Sequence, residues 1–187
     1  MLGPQGSGKG TQADRIAAEY GIPHIASGDM LRAAIAAGTP LGLQVKPIYE
    51  KGELVPDEII VGLIRERLEE ADTADGFVLD GFPRTIGQAE SLDATLREIG
   101  RELTVVFALQ VPDEICVERL LGRAHIEGRP DDTPEAIRTR LDIYHRETEP
   151  VIEHYRTQGS LVTIHGEGTP NEVFAEIQAA LEQVAVR

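Results

Sequence analysis

The chain is short of cysteine, of lysine and of long apolar runs, and each shortage removes a class of function. A single cysteine, Cys116, excludes an intramolecular disulfide and a cysteine-rich metal cluster. It falls in an apolar, helix-like run and reads as core filler. No apolar run approaches the ~20 residues that span a bilayer, and the opening residues carry no signal-peptide pattern. A soluble, cytoplasmic protein without a membrane partner is therefore expected. The lysines are only Lys9, Lys46 and Lys51, among 18 basic residues; the rest are arginines. Arginine grips phosphate with a fork of donors, whereas lysine acts as a point charge. An acidic chain that keeps so many arginines is expected to gather them in one cleft, although a codon bias toward arginine would give the same count. The net charge of −14 argues against non-specific nucleic-acid binding. At 187 residues the chain is long enough for one domain with a substantial core.

What is present is organised around Gly3-Pro4-Gln5-Gly6-Ser7-Gly8-Lys9-Gly10-Thr11. The four glycines between Gly3 and Gly10 let the backbone turn tightly and aim successive N–H groups at one anion. Lys9 adds a charge for terminal phosphates, and Thr11 offers a hydroxyl to Mg²⁺. Gln12 to Tyr20 is a helix-forming run, so its N-terminus faces the same anion. The match to G-x-x-x-x-G-K-[ST] is imperfect: Gly10 stands where Ser or Thr is usual, and the hydroxyl arrives one residue later.

Beyond the loop, short apolar runs alternate with helical ones. Strands are expected at His24–Ala26, Phe77–Leu79, Leu103–Val111 and Leu161–Ile164. Ser27 reads as the N-cap of a helix to Ile35, followed by a helix over Leu41–Glu50 containing Pro47 and one from Pro56 to about Glu70. Further helices are expected over Thr85–Ile99 and Asp113–Arg123, then, after a loop over Ala124–Asp132, from Pro134 to Thr157 with a bend at Pro150. A last helix opens at Thr169–Glu172 and buries Val173, Ile177, Ala180, Leu181 and Val184. This alternation gives an α/β fold with a central parallel sheet.

The second strong signal is Phe77-Val78-Leu79-Asp80-Gly81-Phe82-Pro83-Arg84, with Gln88 four residues on. An apolar strand ending in Asp80 places a carboxylate beside the phosphate loop, where it can hold Mg²⁺ through water. Gly81 permits a sharp exit, Pro83 stiffens it, and Arg84 is projected at the mouth of the site. Together with Gly3–Thr11, this stretch closely resembles the adenylate kinase family, the nucleoside monophosphate kinases of the P-loop class.

The resemblance implies a three-layer α/β/α fold with strand order 2-3-1-4-5 and transfer of the γ-phosphoryl of Mg-ATP to AMP, giving two ADP. It divides the chain, as one domain over 1–187, into a core of 1–26, 56–122 and 134–187, an AMP-binding insert at 27–55 and a short lid at 123–133. For ATP it implies Gly6, Ser7, Gly8, Lys9, Gly10, Thr11, Arg119, Arg123 and, through its backbone, Gly168. For AMP it implies Ser27, Arg32, Glu53, Leu54, Val55, Gly81, Phe82, Pro83, Arg84, Gln88, Arg129 and Arg140. Arg32 would take the AMP phosphate, and the Gln88 amide can donate and accept at once, which suits the adenine edge. The phosphoryl in flight needs positioning and charge rather than a general base, so Lys9, Arg84, Arg123, Arg129 and Arg140 form the implied catalytic set. Arg138, two residues from Arg140, points elsewhere on a helix and is left to the surface. Water at the site would waste ATP, so insert and lid are expected to close over the substrates.

The segment between Arg123 and Asp132 is short and lacks a cysteine pair, so the chain resembles the short-lid form, with Mg²⁺ and without structural zinc; His125 alone makes no tetrahedral site. A monomer is expected. One feature departs from the family: only Met1 and Leu2 precede Gly3, where the family has a central apolar strand. A gap there leaves two rows of backbone groups unpaired and is expected to cost more than the ~5–15 kcal/mol by which a domain is stable. The expectation is a natural start upstream of Met1, and poor stability or activity for the chain as written. Two other readings stay open. A UMP or CMP kinase of the same fold would tend to have Asn at position 88, and a non-catalytic nucleotide-binding module would not need Arg32, Arg84, Arg129 and Arg140.

Overall fold

The computed structural model describes residues 1–127 and 132–185. The phosphate loop leads into α1 (Lys9–Tyr20), and β1 (His24–Ala26) is followed by α2 (Ser27–Ala36), α3 (Pro40–Glu50) and α4 (Asp57–Leu68). Then come β2 (Val78–Asp80), α5 (Ile86–Glu98), β3 (Val106–Gln110), α6 (Asp113–Glu127), α7 (Pro134–Ile143), a π-helical turn (Tyr144–Thr148), α8 (Glu149–Thr157), β4 (Leu161–His165) and α9 (Pro170–Ala185).

The strands pair in parallel as β1–β2 and β3–β4. Met1 and Leu2 sit between the two pairs: Met1 N donates to Leu79 O at 2.8 Å on one side. On the other, Leu2 N donates to Phe107 O at 2.7 Å, and Leu2 O accepts from Leu109 N at 2.9 Å. Leu2 thereby bridges Ala108 in parallel, and the order across the sheet becomes β1, β2, Met1–Leu2, β3, β4, as the family resemblance implies.

β3 shows why the sheet is buried on both faces. Phe107 and Leu109 pack with Ala13 and Ile16 of α1 and Val173 and Ile177 of α9. Val106 and Ala108, alternating with them, pack with Leu2, Ala89 of α5 and Val151 and Tyr155 of α8. The Leu2 side chain is buried in that second cluster. Leu2→Ala is therefore expected to cost about 2–5 kcal/mol, as large-to-small core changes do. Chemical denaturation checks this, and a loss below 1 kcal/mol would contradict it.

Local chemistry explains where four of the helices start. Thr39, Thr85 and Thr133 accept at Oγ1 from the backbone N–H three residues on and so cap α3, α5 and α7, with Pro40 and Pro134 opening α3 and α7. Thr169 and Glu172 close a reciprocal capping box on α9.

Three expectations are corrected. Ser27 is not a cap: it lies inside α2, and its hydroxyl donates to Gly81 O at 2.8 Å. The segment Ala124–Glu127 continues α6 rather than forming a loop. The helix from Pro134 to Thr157 is broken before Pro150 by the π turn at Tyr144–Thr148. A proline ring collides with the carbonyl four residues back, and a widened turn relieves that collision.

Candidate active site

The phosphate loop forms an anion cradle at the start of α1, with the Ser7 N–H turned back to Pro4 O at 3.2 Å. Gly8 has φ +92°, and α1 starts at Lys9 with no side-chain cap, so its first N–H groups face the cleft. Gly6 must be glycine: its φ is +85°, and a Cβ there would lie 2.5 Å from the Cys116 carbonyl oxygen. The Ser7 hydroxyl is buried and has no hydrogen-bond partner. Lys9 Nζ donates to Pro4 O at 2.9 Å, holding the ammonium over the loop.

A cleft of about 480 Å³ opens on this loop. Of the residues expected at the site, Gly6, Gly8, Lys9, Gly10, Thr11, Arg32, Glu53, Asp80, Gly81, Pro83, Arg84, Arg119, Arg123 and Arg140 all line it. An acidic chain has thus collected five of its arginines around one space, as the composition suggested.

The others lie elsewhere. Ser7 and Ser27 are buried behind the wall, Phe82 and Val55 belong to the apolar core, and Leu54 is not in the lining. Gly168 is exposed and packs against Glu172. Gln88 is buried with its amide engaged: Oε1 accepts from Arg84 N at 2.7 Å, and Nε2 donates to Asp57 Oδ1 at 2.6 Å. Contact of Gln88 with a base requires these bonds to be exchanged. Arg129 lies outside the described residues.

Arg84 is held at three points. Its N–H goes to Gln88, its Nε donates to Gly81 O at 2.6 Å, and its carbonyl accepts from Thr148 Oγ1 at 2.9 Å. Burial, and after it the charge of Arg140, lower the Arg84 pKa, with Arg32 adding to the effect. Asp132, with a side chain fully buried, takes Arg123 Nε and Nη2 at 2.7 and 2.8 Å and Arg140 Nη1 at 3.2 Å. Arg119 lies along the loop, donating to Gly166 O at 3.1 Å and Ser7 O at 3.4 Å. In this structure Arg119 therefore braces the loop.

The carboxylate at the end of β2 stays ionised. Burial pushes the Asp80 carboxyl up, but His24 and the Lys9 ammonium outweigh that and hold it at about 2. A Cβ on Gly10 would lie 3.4 Å from Asp80 Oδ2, so the carboxylate sits against the phosphate loop, with Thr11 in the same lining. Among the described residues no group of three or more His, Cys, Asp or Glu could enclose a metal. A single carboxylate and a hydroxyl beside an anion cradle suit a hard cation that keeps waters and takes its remaining ligands from phosphate, which is the habit of Mg²⁺.

Burial pushes the Lys9 ammonium down to about 8; Asp80 opposes this, and Arg84 and Arg123 add to it. Polyphosphate placed against the amine raises its pKa again. Binding of ATP at pH 8 is therefore expected to take up protons, and at pH 6, where Lys9 is already charged, its share of the uptake vanishes. Calorimetry in buffers of different ionisation enthalpy measures this; proton release at pH 8 would contradict it.

Several lining residues escaped sequence reasoning. His24 contacts Asp14 through Nδ1 at 2.7 Å and faces Asp80 Oδ2 at 3.6 Å through Nε2. Asp80, most of all, and Asp14 raise its pKa against the opposing effect of burial. Its only signal was a polar residue opening an apolar strand that pairs with β2 in the register Ala26 to Asp80. Tyr144 and Thr148 reach the cleft from the π turn, for which Pro150 was the sole sign. Tyr49 reaches it from α3.

The family model for adenylate kinase matches residues 1–160. The chain is 50% identical over 181 residues to a protein of Xanthomonas campestris pv. campestris (strain 8004) named adenylate kinase, covering 97% of each. It is 48% identical over 182 residues, again 97% of each, to a protein of the same name from Stenotrophomonas maltophilia (strain R551-3). With the phosphate loop, Asp80 and the ring of arginines assembled around one cleft, and with matches of this extent, the chain belongs to the adenylate kinase family.

Proposed function

We propose that the cleft transfers the γ-phosphoryl group of Mg-ATP to AMP, giving two ADP. The observation that carries this reading is the meeting of Lys9 with Arg32, Arg84, Arg123 and Arg140 around one space, next to an ionised Asp80. A phosphate-binding loop alone would bind a nucleotide. The additional guanidiniums are what a migrating phosphoryl group needs, because its charge is spread over equatorial oxygens. The acceptor phosphate is already an anionic nucleophile, so no side chain has to remove a proton.

In this reading the loop N–H groups and Lys9 hold the ATP phosphates. Asp80, through water, and Thr11 would hold Mg²⁺, which neutralises charge on the β- and γ-phosphates. Arg32, Arg84 and Arg140 take the AMP phosphate, and Gln88, once it exchanges partners, reads the adenine edge. Segment 27–55 and the short lid close over the two substrates, and Arg129, which lies outside the described residues, belongs with the arginines for AMP. The protein then works as a cytoplasmic monomer with ATP and AMP as its partners and no nucleic acid. Its net charge of −14 supports the last point.

The test is turnover of Mg-ATP with AMP, CMP, UMP and GMP in parallel. AMP alone should give product. A preference for CMP or UMP would overturn the role given to Gln88, and binding of ATP without transfer to any acceptor would overturn the arginine assignment.

A further inference from the structure

Arg32 of α2 and Arg140 of α7 reach the cleft from separate helices, and one side chain touches both. Arg32 Nη1 donates to Tyr49 Oη at 2.6 Å. The Arg140 guanidinium carbon lies 5.8 Å from the centroid of the Tyr49 ring, within the range at which a π face attracts a cation. Tyr49 is buried by its neighbours yet lines the cleft. Three residues on, Gly52 has φ +76°, and a Cβ there would meet the Ala136 carbonyl oxygen at 2.7 Å and Arg140 Cγ at 3.0 Å. The end of α3 thus lies directly against α7.

We propose that Tyr49 is a positioning residue for the acceptor phosphate, fixing Arg32 through its hydroxyl and Arg140 through its ring. This rests on the reading above, in which those arginines take the AMP phosphate. Like charges brought together repel, and Arg84 feels the charges of both. Arg32 also pairs with Asp29, which is exposed and lines the same cleft. The phenol oxygen supplies an acceptor on the cleft side that keeps Arg32 turned inward without adding a formal negative charge. The π face does the same for Arg140. Filling the space would need only Leu, Met or Phe; the hydroxyl is the part that packing does not explain.

The experiment compares the wild type with Tyr49→Phe and Tyr49→Leu, measuring KM for AMP, KM for ATP, kcat, melting temperature, and AMP binding by calorimetry. Tyr49→Phe keeps volume and ring and loses the Arg32 contact. It should raise KM and Kd for AMP by about three- to tenfold, since hydrogen bonds to charged groups are the stronger ones. The KM for ATP should stay within about twofold and the melting temperature within a few degrees. Tyr49→Leu loses both contacts and should raise the AMP constants further, by at least about tenfold. An unchanged AMP constant in Tyr49→Phe overturns the proposal, as does an equal rise for ATP and AMP, which would mark a merely structural role. If the wild type neither binds nor phosphorylates AMP, the functional reading fails and the proposal falls with it; the wild-type titration separates that outcome from the others.

Discussion

Arg84→Ala should lower kcat by about 10²–10³, in line with loss of one donor aimed at transition-state charge, while leaving the melting temperature unchanged or raised. The two halves of that result have one cause. Arg84 is held by Gln88, Gly81 and Thr148 in a place where burial and the charges of Arg140 and Arg32 all disfavour its own charge. A group kept under such conditions contributes little to folding and has its use when an anion arrives. Removing it relieves repulsion between cations and removes a fixed positive charge from the reacting phosphoryl. Arg84→Lys should recover only part of the rate, because a point charge replaces a fork. Steady-state rates together with thermal melts check both halves. A variant with the wild-type rate, or one that loses stability in step with activity, would show that Arg84 serves the fold.

Asp132→Ala should do the opposite and damage both. The Asp132 side chain is fully buried and accepts hydrogen bonds from Arg123 and Arg140. Taking one partner from a buried ion pair costs about 3–5 kcal/mol, and Asp132 is the fully buried carboxylate that both guanidiniums share. In a domain of this size that corresponds to a fall in melting temperature of about 6–20 °C. Activity should drop with it, even at temperatures where the variant is folded, since Arg123 and Arg140 lose their common anchor beside the cleft. Asp132→Asn keeps the shape and should retain more of the fold than of the rate. Denaturation and kinetics on both variants decide this; a loss under 1 kcal/mol in Asp132→Ala would contradict it.

The contrast between these two residues shows what a sequence can and cannot display. Arg84 was legible because its neighbours form a local pattern: an apolar strand, an acid, a glycine and a proline project it. The phosphate loop was legible for the same reason, since its chemistry is written within nine consecutive positions, Gly3 to Thr11. β3 was legible because it is buried on both faces and reads as a continuous apolar run. Features that depend on distant segments were not. The hydroxyl of Ser27 satisfies Gly81 across two strands rather than its own helix, and local capping statistics carry no sign of that. Gln88 appeared to have a free amide because Asp57 lies 31 residues before it. Tyr49 carried no local signal, and only the close approach of α7 shows what its hydroxyl and ring face. The π turn follows from Pro150, but whether a helix bends, breaks or widens there depends on what the widened turn presents, here Tyr144 and Thr148 at the cleft.

The central claim is that a single cleft hands a phosphoryl group from one nucleotide to another without releasing it to water. The direct measurement is to supply Mg-ATP labelled at the γ position together with AMP and follow the label. The label should appear in the β position of newly formed ADP, with inorganic phosphate at background. Label accumulating as inorganic phosphate, with none in ADP, would contradict it.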